Sequence, residues 1–109
     1  MLGGNLGNTF LTSLDANLGK NLLAAGGYTN DYVLANRGIS STDNVPIIVA
    51  YSISSKQIYW MISDLSKLNY VINSIRLSPN GNYLIAMVSP PSIGSGFIQL
   101  YDSLTGVLI

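Results

Sequence analysis

The chain has 109 residues, of which five are basic and five acidic, so its formal net charge is zero and only 9% of residues are charged. It contains no Cys, no His and no Glu, which excludes disulfides, thiolate or imidazole metal sites and a Ser-His-Asp catalytic site built from this chain alone. Five scattered basic residues do not form the positive surface that nucleic acid requires. Apolar runs such as 47–51 and 58–62 are far shorter than the roughly 20 residues of a membrane helix, so no membrane span is expected.

The chain consists of short apolar runs separated by turn residues, a pattern that predicts an all-β fold. β-Branched and aromatic residues, Gly and Asn are spread throughout, and no segment has a convincing helical pattern. In chain order, the predicted strands are 10–16, 22–26, 47–53, 57–62, 71–77, 83–88, 97–102 and a short last one at 107–109. Strand 83–88 is apolar on both faces, which is typical of a strand whose sheet is covered on both sides.

Two tight turns follow predicted strands and carry the strongest turn residues of the chain. Ser78 opens the first, where Pro79 presets the backbone for a type I turn and Gly81 can take the left-handed position. Asp102 opens the second, where its carboxylate can accept backbone amide protons and Gly106 closes the turn. We therefore predict structural roles for these residues, and no catalytic residue.

Two longer loops are predicted at 27–46 and 89–96. The first is rich in oxygen ligands, with Asp31 and Asp43 beside Asn30, Asn36 and Asn44, and such loops can bind Ca²⁺. The spacing does not match an EF-hand, so a solvated loop is the preferred interpretation. No metal site and no cofactor are predicted.

The sequence contains an internal repeat. Ser13 aligns with Ser74 at an offset of 61, and a one-residue gap in the turn then aligns Leu22 with Leu84 at an offset of 62. Further on, 48–59 aligns with 98–109 at an offset of 50 without a gap, which places Tyr51 on Tyr101. Each unit is therefore a four-stranded antiparallel meander, and the chain uses it twice.

The second unit, 74–109, resembles a blade of a β-propeller of the WD-repeat or quinoprotein-like kind. Its Ser-Pro-Asn-Gly turn, its strand ending in Tyr101-Asp102 where such repeats have Trp-Asp, and its Thr-Gly turn carry the resemblance. In the first unit, 17–20 replaces the Ser-Pro turn and 51–52 replaces the aromatic-Asp pair. The resemblance implies one unit over 1–109, made of blade-like repeats at about 9–63 and 71–109 joined by a connector at 64–70.

The resemblance also indicates what kind of protein this is. Propellers have about 4–8 blades, so two blades need further blades of a longer chain or further copies in a homo-oligomer. We expect a non-catalytic structural module that binds protein partners within a larger assembly. The alternatives are a fragment of a propeller enzyme, quinoprotein dehydrogenase-like or lactonase-like, and a self-assembling ring or filament subunit.

One aromatic segment is a candidate partner patch. The densest group of aromatic and methionine side chains in the sequence consists of Tyr59, Trp60 and Met61. In an outer strand they could bind a partner, and the alternative is that they pack against a neighbouring blade. Low charge and apolar segments such as 47–53 and 83–89 further indicate that the surface of this chain is covered by another blade or subunit.

Overall fold

A computed structural model describes residues 9–30, 44–64, 67, 69–92 and 96–109 of the chain. The strands of these ranges are β1 (Thr9–Asn17), β2 (Leu22–Thr29), β3 (Val45–Ser52), β4 (Ile58–Ser63), β5 (Val71–Leu77), β6 (Tyr83–Ser89) and β7 (Phe97–Asp102). Strands β1 to β4 form one antiparallel sheet in chain order, called the first sheet, and β5 to β7 form the second sheet. The predicted all-β fold is confirmed. The described ranges contain no helix of the length and hydrophobicity needed to cross a membrane.

The predicted last strand at 107–109 is present only as an isolated bridge between Tyr101 and Leu108, so the second sheet has three strands in the described part of the chain. The chain does turn back along β7, because the Ile109 amide donates to the Leu100 carbonyl at 2.8 Å. The pairing is too short to make a strand. A four-stranded second unit was therefore a wrong expectation for these residues.

Strand β2 continues to Thr29, three residues beyond its predicted end. The sequence suggested a loop from Gly27, but Gly27 pairs with Ile47 on one side and Leu11 on the other. A side chain at Gly27 would place its Cβ only 1.8 Å from the Phe10 carbonyl oxygen, so glycine is what allows β1 to approach here. The glycine marks a close backbone approach within the sheet.

The first hairpins of the two sheets have the same register. Leu14 pairs with Ala25 in the first sheet, and Ile75 pairs with Ala86 in the second. Equivalent residues of the two hairpins are therefore 61 positions apart in the sequence, on both strands. The same offset aligns the β-bulge between 11 and 13 with the bulge between 72 and 74. The one-residue gap of the sequence alignment is therefore wrong, and Leu84 corresponds to Leu23. Both turns have the same length, and a slip of one residue would exchange the two faces of the strand.

The second hairpins also match, at the offset of 50 that the sequence alignment used. Leu23 pairs with Tyr51, and Leu84 pairs with Tyr101. The turns that follow repeat the same hydrogen bond, from Ser52 N to Gln57 O at 2.8 Å and from Asp102 N to Val107 O at 2.9 Å. The first three strands of the two sheets are thus two copies of one structural unit, and β4 has only an isolated bridge as its counterpart in the second sheet.

The sheets pack through unlike faces, and this contact forms the core. The first sheet contributes Ala24 and Ile48, and the second contributes Ile75, Leu84 and Ala86. Leu84 corresponds to Leu23, whose side chain lies on the opposite face of β2 from Ala24 because side chains alternate along a strand. The contact is therefore head to tail, with one face of the unit against the other face of its repeat.

The two sheets approach each other closely at Gly26 of β2. A Cβ there would lie 2.6 Å from Ile72 Cγ2 and 2.7 Å from Ile75 Cγ1, well inside van der Waals contact. Glycine at this position allows the first sheet to pack against Ile72 and Ile75, two branched side chains of β5.

Candidate functional site

The head-to-tail packing leaves one apolar face of each sheet on the outside. On the first sheet, this surface is a groove of about 520 Å³, which we call the first outer face. Its apolar lining consists of Leu11, Leu14, Leu23, Ala25, Val49, Tyr51 and Ile58. Leu14 is 64% exposed, although it lies in the middle of strand β1. Large apolar side chains exposed together indicate a binding surface.

The second outer face lies on the opposite side of the molecule, on the second sheet. Its side chains come from alternate positions of β6 and from the paired position of β7, where Met87 lies opposite Ile98. They are Tyr83, Ile85, Met87 and Ile98, with exposed fractions from 39% to 66%. The intervening residues of β6, among them Leu84 and Ala86, are buried against the first sheet.

Most of the first outer face corresponds to a covered face. With the offsets of 61 and 50, five of its seven apolar lining residues match buried residues of the second sheet. The matched pairs are Leu11 with Ile72, Leu14 with Ile75, Leu23 with Leu84, Ala25 with Ala86 and Tyr51 with Tyr101. Each sheet therefore exposes the face that its repeat buries.

The predicted turn residues of 78–81 join the two sheets as well as the hairpin. Ser78 Oγ accepts the Tyr83 amide at 3.0 Å, and the Pro79 carbonyl accepts from Asn17 Nδ2 at 3.2 Å. Gly81 has a φ of 76°, and a Cβ there would lie 2.5 Å from Lys20 Cγ. These residues hold the turn of one repeat against the corresponding turn of the other.

Asp102 and Gly106 form the second turn. Asp102 Oδ1 accepts the amides of Leu104 at 2.9 Å and Thr105 at 3.1 Å, and Gly106 has a φ of 75°. In the first sheet, Lys56 takes the place of Gly106 with a φ of 59°. The carboxylate of Asp102 is thus engaged by backbone amides of its own turn.

The aromatic segment 59–61 does not form a single patch. Trp60 packs against the core between the sheets, and its Nε1 donates to the Ser103 carbonyl at 2.9 Å. Met61 pairs with Val49 and therefore lies on the other face of β4, while the Tyr59 hydroxyl approaches Asn21 at 3.2 Å. The alternation along β4 separates the residues that are adjacent in sequence.

A cavity of about 240 Å³ lies between the sheets, and four of its polar side chains bind one another in two pairs. Lys67 Nζ is 2.7 Å from Asp64 Oδ2, and the Tyr101 hydroxyl donates to Gln99 Oε1 at 2.7 Å. Burial raises the pKa of Tyr101 to about 12, and the nearby Asp64 carboxylate adds to this shift. Tyr101 is therefore a neutral phenol at physiological pH.

The Ca²⁺-loop residues Asp31, Asn36 and Asp43 lie outside the described residues. Within the described ranges, the structure brings together no group of three or more His, Cys, Asp or Glu side chains.

The outer faces were missed as a site by reasoning from single motifs. Leu14, Ile85 and Ile98 belong to no motif, and each has the sequence pattern of an ordinary core residue of a strand. One signal in the sequence points to these faces: strand 83–88 is apolar on both faces, whereas two repeats that pack together cover only one face of each sheet. Recognising the site required knowing which face each sheet uses internally.

No family model matches the chain, and no curated protein matches it as a relative.

Proposed function

We propose that this chain is a non-catalytic module of the β-propeller type, whose two outer faces bind protein partners in a larger assembly. One observation supports this most strongly: each outer face corresponds by register to a face that is buried inside the chain. A surface with the pattern of a core is suited to being covered by protein.

The repeat geometry supports the propeller type. Two units with identical hairpin registers and the same turn hydrogen bonds pack face to back, as the blades of a propeller do, and each unit contacts only its neighbours. The WD-repeat or quinoprotein-like resemblance rests on the Ser78-Pro79 turn and the Tyr101-Asp102 pair. The module would supply contact area to the assembly, and its turns would hold the units together.

The proposal can be tested by site-specific crosslinking. A photoreactive benzophenone amino acid is introduced in place of Leu14 on the first outer face, Ile98 on the second outer face, or Leu18, which is 80% exposed in a turn, as the control. The chain is then irradiated in extract of the cells that produce it. Discrete protein adducts from positions 14 and 98, with none from 18, are expected. An absence of adducts from both faces would refute the proposed function.

A further inference from the structure

The geometry points to a specific partner: the first outer face of one copy binds the second outer face of a second copy of this chain, head to tail. The inference rests on the proposed function, because it names the protein that covers those faces. The contact between the sheets within one chain is the template for the contact between copies.

The first outer face has nearly the same side chains as the buried face of the second sheet, which packs against the first sheet inside the chain. Leu14 and Leu23 take the places of Ile75 and Leu84, so the apolar character is retained. Ala25 and Tyr51 take the places of Ala86 and Tyr101, where the residues are identical. Inside the chain, the buried face of the second sheet packs against the inner face of the first sheet, which is the face that carries Ala24 and Ile48. In the repeat, the second outer face occupies the position of that inner face.

The two outer faces are also complementary in size. The second outer face carries Ile85 and Met87 where the inner face of the first sheet has Ala24 and Gly26. These larger side chains need more room than the contact inside the chain offers. The groove of about 520 Å³ on the first outer face provides it, and methionine adapts readily to an irregular space.

A polar contact at the sheet edge can be repeated between copies. Within the chain, Ser13 Oγ accepts the Ile75 amide at 3.0 Å, which ties β1 to β5. The equivalent residues are Ser74 and Leu14, so the second sheet offers the same hydroxyl to the Leu14 amide of the next copy. The serine is retained at this position in both repeats.

One difference between the repeats adds charge complementarity. Within the chain, Asp15 Oδ2 accepts the Leu77 amide at 2.8 Å, and the residue equivalent to Asp15 is Arg76. In the next copy, the position equivalent to Leu77 is Ala16, whose amide already donates to Asp15 Oδ1 at 2.9 Å. Arg76 of one copy would therefore meet the Asp15 carboxylate of the next.

Unlike faces in contact make a heterologous interface, which extends until the rotation between copies closes a ring. Three or four copies would contain six or eight sheets, within the range of about 4–8 blades that propellers use. The expected masses are about 35 and 46 kDa, three and four times 11.6 kDa.

The test uses two variants that each block one face. Leu14→Lys places an ammonium on the first outer face, and Ile98→Lys places one on the second, at residues that are 64% and 66% exposed. Leu18→Lys is the matched control in the turn. Circular dichroism checks that each variant folds, and Leu14→Gln and Ile98→Thr replace any lysine variant that does not. Sedimentation velocity then measures the mass of each protein alone and of a mixture of the two blocked variants.

We expect the wild-type chain and Leu18→Lys to form the larger species. Each blocked variant alone should self-associate roughly 100-fold more weakly, because an unpaired ammonium loses its hydration at the interface. The mixture should form a 1:1 dimer of about 23 kDa, twice 11.6 kDa, through the two intact faces. Failure of the mixture to form this dimer would overturn the head-to-tail inference, as would a wild-type chain that stays monomeric. Crosslinks to other proteins alone would then leave the proposed function standing without the second copy.

Discussion

The close approach of the two sheets at Gly26 can be tested by adding one methyl group. In Gly26→Ala, the new Cβ would lie 2.6 Å from Ile72 Cγ2 and 2.7 Å from Ile75 Cγ1. Carbon atoms pack best at about 3.5–4.0 Å, so the overlap is roughly 1 Å. Overpacking of this kind costs about 1–3 kcal/mol, while alanine recovers about 0.5–1 kcal/mol through its smaller backbone entropy in the unfolded chain.

The expected net loss for Gly26→Ala is about 0.5–2 kcal/mol of unfolding free energy. It is measured by urea denaturation followed through Trp60 fluorescence, with both proteins held monomeric by the same outer-face substitutions. Gly19→Ala is the matched control, because a Cβ there has its nearest neighbour, Asn17 Oδ1, at an ordinary 3.5 Å. A Gly26→Ala protein as stable as Gly19→Ala would show that the sheets do not pack closely at this point, and the head-to-tail packing would lose its main geometric support.

Three further substitutions test the turns and the core. Lys56→Gly should stabilise the chain by about 0.5–1 kcal/mol, because Lys56 has a φ of 59° where the other repeat uses Gly106; unchanged or lower stability in denaturation would contradict this. Asp102→Ala should cost about 1–2 kcal/mol through the loss of two amide contacts, and Asp102→Asn, which keeps an acceptor oxygen, should retain most of the stability. In the folded chain the pKa of Tyr101 is raised to about 12, whereas in the unfolded chain the same phenol ionises near pH 10. Because the unfolded chain loses this proton first, the unfolding free energy should fall from about pH 10 to 12. Tyr101→Phe should make that fall shallower, and an identical pH profile would count against burial of the phenol.

The strands were predictable because apolar runs and turn residues alternate clearly along this chain. Strands β5 and β7 have the predicted bounds, since turn residues flank them closely. Strand β2 extends further than predicted because Gly27, a residue type typical of loops, here allows the backbone of β1 to approach closely. Residues 107–109 turn back along β7 as predicted, but they form only an isolated bridge at Leu108 and no strand.

The sequence predicts that apolar surface of this chain is covered, but it does not predict which face of each sheet stays on the outside, because that depends on which side of each strand packs inside the chain. The one-residue gap in the repeat alignment placed Leu22 on Leu84 and would have exchanged the inner and outer faces. Sequence similarity at this point favours neither register decisively, since β2 has leucine at both 22 and 23. Only the pairing of Ala16 with Leu23 and of Leu77 with Leu84 identifies the correct face.

The packing of unlike faces is tested most directly by nuclear Overhauser effects in the Leu14→Lys, Ile98→Lys double variant, which is blocked on both outer faces. Effects from Ala24 and Gly26 protons to the methyl groups of Ile72 and Ile75 are predicted, with none from Ala25. Effects from Ala25 to those isoleucine methyl groups, in place of the ones from Ala24 and Gly26, would show that like faces pack together and would contradict the head-to-tail arrangement.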